Sequence, residues 1–203
     1  MIAKAISGFL GAVLLSTPLV AQSQEPTFKF ERIEFALPMG KEFARERIGL
    51  VCLSSGKHHW EGASSFIQRE MFERAFHEAA TENGIPLAGD PSNMFGDRGF
   101  EDADYLIGAS VYSLNLDACA PQGGFGNTSK VKGSGTVGIE WQVFSKVEER
   151  IVLRERTTAS FKLDRAEEGG VYRLMLEPFR DNVRQLAGLE AMKSLFVSEG
   201  SDR

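Results

Sequence analysis

Gly135-Thr136-Val137-Gly138-Ile139-Glu140-Trp141-Gln142-Val143-Phe144 sets Val137, Ile139, Trp141 and Val143 on one side of an extended chain. Thr136, Glu140 and Gln142 fall on the other side. That period of two is the pattern of a strand in a sheet with one wet face. Charged residues from Lys146 to Arg150 make a turn, and Ile151, Leu153, Ala159, Phe161 and Leu163 return in phase. The spacing predicts an antiparallel hairpin.

Working upstream, a Gly-rich loop (122–127) joins the hairpin to the stretch from Ala103 to Leu116. That stretch is apolar on both faces at first. It then alternates, with Tyr112, Leu114 and Leu116 on one side, as expected of a strand that starts buried and ends half exposed. Gly, Asp, Pro and Asn crowd residues 88–102, which reads as a loop. Ser65 with Gln68 three residues on has the form of a capping box. Ile67, Met71 and Ala75 beside Phe72, Phe76 and Ala79 give helical periodicity, and Asn83-Gly84-Ile85-Pro86 stops it. This predicts a helix over 65–83. The loop 54–62 precedes it. The apolar run Ile48-Gly49-Leu50-Val51-Cys52-Leu53 is predicted to be a central strand covered on both faces, and Phe28, Phe30, Ile33 and Phe35 an edge strand. Downstream, Pro178 suits the first turn of a terminal helix from Glu177 to Val197. Its inward stripe is Phe179, Val183, Leu186, Ala187, Ala191 and Leu195.

The fold class is therefore α/β, in the α+β two-layer sense: a mixed, largely antiparallel sheet with two main helices packed on one face. The other face is expected to show Thr136, Glu140, Gln142, Arg154 and Arg156. At 203 residues the length fits one domain. Residues 1–23 are read apart from it as a secretory signal peptide, leaving a single domain over 24–203. Lys4 supplies the positive start, Ala5 to Val20 an apolar run, and Ala21-Gln22-Ser23 a small–x–small site cleaved after Ala21 or Ser23. The alternative, an N-terminal anchor, needs about 18 apolar residues, and the run from Ala5 to Val20 is near or below that length. No cysteine lies at the cleavage site, so the lipobox of a lipoprotein is absent and no integral span is expected after cleavage.

The formal net charge of −5, without a basic patch, argues against a nucleic-acid partner. Cys52 and Cys119 are an even pair, which in an oxidising compartment suggests one disulfide. It would close a loop of 67 residues (119 − 52) and contribute roughly 4 kcal/mol in the chain-entropy model. Two separate buried thiols are the alternative.

The order of strand, helix, loop, long strand, hairpin and terminal helix, with Asp102-Ala103-Asp104-Tyr105-Leu106-Ile107-Gly108 at its centre, resembles a group of envelope proteins. These are the curli secretion-channel lipoproteins, the outer-membrane activators of penicillin-binding proteins, and related periplasmic accessory domains. The resemblance covers residues 48–197. Its missing lipobox and its turn Lys146-Val147-Glu148-Glu149, where relatives often carry Asp…Gly, are departures. The resemblance implies an assembly, regulatory or accessory role without catalysis; fold alone assigns no activity.

Candidate chemistry is sparse. Cys52 with His58, His59, Trp60 and Glu61 could form a thiolate–imidazole pair or a zinc site. Adjacent His residues on an extended chain point to opposite sides, however, and His77 is far off in sequence. Gly133-Ser134-Gly135-Thr136-Val137-Gly138 matches GxGxxG, but a strand follows where a dinucleotide site needs a helix. Gly56-Lys57 lacks the rest of a phosphate loop. Asp97, Glu101, Asp102 and Asp104 have no EF-hand spacing, and Asn127-Thr128-Ser129 is a sequon. The expectation is a non-catalytic exported adaptor, periplasmic or secreted, that binds an envelope protein partner and needs no cofactor. A periplasmic metal- or small-ligand-binding protein using the His58–His59 and 122–127 loops is the alternative. An enzyme using Cys52 would require a free thiol.

Overall fold

The computed structural model describes residues 25–64, 67–88, 103–121 and 130–196; the segment read as a signal peptide and the stretches 89–102 and 122–129, expected to be loops, lie outside them. The elements in order are β1 (Phe28–Phe35), β2 (Glu42–Ile48), β3 (Leu53–His59), α1 (Arg69–Glu82), β4 (Tyr105–Ala120), β5 (Lys130–Ser145), β6 (Arg150–Glu168), α2 (Gly170–Gly188) and α3 (Glu190–Phe196). The six strands form one sheet in the order β3-β2-β4-β5-β6, and β1 also pairs with β4. β1 and β2 both run parallel to β4, β1 beside its first half and β2 beside its last. The other pairings are antiparallel. The mixed, mostly antiparallel sheet with helices is the α+β fold the alternation predicts.

The hairpin of β5 and β6 has the predicted phase from Val137 to Val143; a bulge beyond Leu153 takes Ile151 out of the predicted row and leaves it exposed. Val137, Ile139, Trp141 and Val143 are fully buried, opposite Ala159, Thr157 and Leu153 across the strands. Aromatic rings from the helices close over them. Phe76 and Phe179 flank Trp141, and Phe72 meets Phe179 edge-on at 5.2 Å. Full burial of each such ring contributes about 1.5–3 kcal/mol by transfer.

Four expectations are corrected. The apolar run at 48–53 is no central strand: β2 ends at Ile48, residues 49–52 turn, and β3 leaves as its antiparallel partner. Gly49, at φ +77°, supplies the left-handed conformation that an ordinary side chain resists. The run therefore caps a hairpin, leaving Leu50 86%, Val51 76% and Leu53 67% exposed. Consequently His58 and His59 lie on β3 rather than on a loop. The first helix starts at Arg69, with Gln68 at its N-cap and no side-chain cap bond, in place of the predicted start at Ser65, which lies outside the described residues. The terminal helix starts at Gly170, placing Pro178 inside α2, and Leu189 breaks it from α3. The break rotates the stripe, so Met192 is buried and Ala191 exposed. Last, a bulge at Tyr112 in β4 reverses its phase, so Val111 and Leu114 face the core while Tyr112 leaves the predicted row.

Pro178 has no N–H to offer the Leu174 carbonyl four residues back. That carbonyl lies over the bare Cα of Gly135, where a Cβ would sit 1.8 Å from its oxygen. Asn182, fully buried, donates to the Pro178 and Val137 carbonyls at 2.7 and 3.0 Å and ties α2 to β5.

His77 on α1 is half-buried, and its Nδ1 has no partner among the described residues. Burial holds its pKa below the ordinary 6.5, against the opposing pull of Glu73. The folded pKa is then below the unfolded one, so the unfolded chain takes up the proton first. Stability present above about pH 6.5, the unfolded value, is lost as pH falls from there through the lowered folded value. His77→Leu is expected to flatten the fall of melting temperature between pH 7 and 5. An unchanged slope in the variant would assign the loss to other groups.

Candidate functional site

α1 and α2 pack against each other and on one face of the sheet, with α3 continuing from α2. The opposite face of β4, β5 and β6 is left to a polar grid. Thr136 Oγ1 meets Ser160 Oγ at 2.8 Å, and the Tyr112 hydroxyl meets Thr158 Oγ1 at 2.9 Å. The Tyr112 ring rests on Gly138, where a Cβ would come within 2.7 Å of it, and the Arg156 guanidinium stands over that ring at 5.1 Å. Glu140 accepts from Arg156 at 2.8 Å and from Gln142 at 3.3 Å. Those bonds, Arg156 first, hold its carboxyl below the usual range. Exposed pairs like these are screened by solvent and orient side chains more than they stabilise.

Toward the C-terminal end of β4 the grid becomes cationic. Arg47 on β2 pairs with Asp117 on β4. Lys162 on β6 pairs with Asp164 at 2.7 Å, which raises the lysine's pKa. Glu42 lies between Lys57 (2.8 Å) and Arg45 (3.0 Å), and their hydrogen bonds, Lys57 first, lower its carboxyl. Arg47, Asp117, Lys132, Ser134, Lys162 and Asp164 line a shallow cleft of about 280 Å³ whose floor includes the Cys52–Cys119 disulfide. The bridge joins the β2–β3 turn to β4 with Cα atoms 5.5 Å apart. The turn is further held by Cys52 N–H to the Gly49 carbonyl at 2.9 Å and Gly49 N–H to the Ala120 carbonyl at 3.1 Å.

The other sequence candidates do not converge. Cys52 is a disulfide sulfur in this fold and not a thiolate. His58 faces Glu46 at 3.6 Å, exposed His59 points the other way, and Trp60 is buried against Phe35 and Phe43. Among the described residues no group of three or more His, Cys, Asp or Glu is placed to hold a metal. The glycines of 133–138 serve packing, and no helix follows them. Asp104 accepts from Thr27 N–H and hydroxyl, tying the chain before β1 to the start of β4. Asp97, Glu101, Asp102, the 122–127 loop and the sequon lie outside the described residues. What sequence reasoning missed is the hairpin tip; the signal for it was Gly49 within an apolar run flanked by Arg45 and Arg47.

No family model matches the chain, and no curated protein matches it. Solved structures do. A protein of family DUF330 from Xanthomonas campestris matches at 10% identity and TM-score 0.39, over 89% of this chain and 87% of its own. A hypothetical protein from Chlamydia trachomatis matches at 9% and 0.43, over 81% and 97%. A minor lipoprotein from Acinetobacter baumannii matches at 12% and 0.30, over 82% and 93%. At these values the matches assign neither partner nor activity. These three are named for neither the curli-channel nor the activator family. Among the described residues no helix is long and apolar enough to cross a membrane.

Proposed function

We propose that the chain is an exported cell-envelope accessory protein that acts by binding a protein partner, with no catalytic step of its own. The observation carrying this reading is the sheet face that no helix among the described residues covers. The main helices bury one side, while the other presents Tyr112, Glu140, Arg154 and Arg156 in a fixed polar array. Aromatic and arginine side chains held by neighbours are the residue types that dominate protein interfaces. Export is supported by the n-region, apolar run and small–x–small site of residues 1–23 and by the disulfide, since such bridges persist in oxidising compartments.

The test is a photo-crosslinking amino acid placed at Arg154 or Thr158 on the open face and, as a control, at Glu78 on α1, in the native cell. A discrete adduct from the sheet positions alone is the expected result. Absence of any adduct across growth conditions would overturn the reading.

A further inference from the structure

We propose that the β2–β3 hairpin tip contacts lipid, seating on the surface of a bilayer that carries anionic headgroups. Ile48, Leu50, Val51 and Leu53 put four exposed large apolar side chains within six residues of one tight turn. Isolated exposed apolar residues are ordinary, but a contiguous patch at a protruding turn marks a contact surface. This tip is also held in place: the disulfide and the Gly49 N–H bond to the Ala120 carbonyl fix it to β4, and the Cys52 N–H bond to the Gly49 carbonyl closes the turn, so it cannot fold back to bury itself.

Charge selects the occupant. The open face behind the tip carries Arg45, Arg47, Lys57, Lys132 and Lys162 against Glu42, Asp117 and Asp164. Five cations and three carboxylates leave an excess of +2 (5 − 3) in a chain whose net charge is −5. Glu46, on the other face of β2, is engaged by His58. Lys132 makes no ion pair among the described residues.

The charges are also layered. Ile48 is level with Ala120, Arg47 and Lys132 are level with Cys119, and Arg45 is level with Asp117 beside Lys57. At about 3.3 Å per residue, the cations lie roughly 3–10 Å behind the base of the apolar turn. An apolar segment buried about 5–10 Å into the boundary of headgroups and acyl chains needs its cations at that depth. An exposed apolar tip backed by a cationic layer suits a fluid anionic surface better than a preformed protein groove. The partner-binding face lies along the sheet and stays free, so this inference stands apart from the adaptor reading.

The test is co-sedimentation of the mature, oxidised protein with vesicles of phosphatidylglycerol and phosphatidylethanolamine, against vesicles of phosphatidylcholine. The protein is expected to bind the anionic vesicles. Leu50→Ser with Val51→Ser should weaken partitioning on the order of tenfold or more, given the apolar area removed. Lys132→Gln with Lys162→Gln should weaken it on anionic vesicles alone and reduce its salt dependence. Circular dichroism and a thiol count establish that each variant is folded and bridged. Val51→Trp is a second reporter, whose emission should move to shorter wavelength on vesicles. Failure of the wild type to bind anionic vesicles would overturn the proposal, as would equal binding by Leu50→Ser/Val51→Ser or a Val51→Trp emission that does not move. Vesicle binding needs no protein partner, so failure here leaves the adaptor reading intact, and failed capture of a partner leaves this one intact.

Discussion

Trp141→Ala is expected to lower the unfolding free energy by about 4 kcal/mol, within the usual range for deleting a buried aromatic. The indole is fully buried at the centre of β5, 6.1 Å from the Phe76 ring and 6.2 Å from that of Phe179. It touches both main helices at once, so neither can close the space without leaving the other. Its N–H also donates to Thr157 Oγ1 at 2.8 Å, and that hydroxyl is itself buried. Removing the donor strands a polar atom, a further cost of about 1–3 kcal/mol where water cannot enter. Trp141→Phe keeps most of the volume and loses the hydrogen bond, so it should fall between wild type and alanine. Urea unfolding followed by circular dichroism measures all three. A loss below about 1.5 kcal/mol for Trp141→Ala, with an unchanged slope, would mean the core collapses around the gap and Trp141 does not organise it.

Cys52→Ser combined with Cys119→Ser is expected to lower stability by roughly 4 kcal/mol, because the bridge restrains a 67-residue loop of the unfolded chain. The folded side of the balance changes less. β2 still pairs with β4 from Ala44 to Ile48, and β3 still pairs with β2. The effect should therefore appear in the melting temperature before it appears in the far-ultraviolet spectrum of the native protein. It should also be local: amide exchange is expected to quicken in β2, β3 and the last third of β4, leaving β5 and β6 protected. A variant within about 1 kcal/mol of wild type would show that the unfolded chain is already compact enough for the tether to add little.

The sequence was most readable where one rule acted alone. The centre of β5 alternates because one face is dry and the other wet, and burial follows that alternation from Val137 to Val143. Elsewhere tertiary contacts outweighed the local pattern. Pro178 argued for a helix start, yet α2 extends eight residues upstream of it. There the Leu174 carbonyl, which Pro178 has no N–H to serve, lies against Gly135, a contact that spacing along the chain cannot reveal. The run at 48–53 had the composition of a buried strand, and the conformation of Gly49 turned it outward. The phase change in β4 came from one extra residue at Tyr112. Of the candidate surface, the polar row of Thr136, Glu140 and Gln142 was legible from period alone. The cationic cleft was not, because it draws on β2, β4, β5 and β6, which only the sheet order brings together.

That β1 and β2 both lie parallel to β4 along the same edge has a kinetic meaning. Phe28 waits for Tyr105, and Ala44 for Leu116, so each closes a loop of more than seventy residues before it gains a strand partner. β4, β5 and β6, by contrast, meet through neighbouring hairpins and can assemble early. The portion of the domain that emerges first is therefore the last to be built in, and until Cys119 has followed, the sulfur of Cys52 has no intramolecular mate.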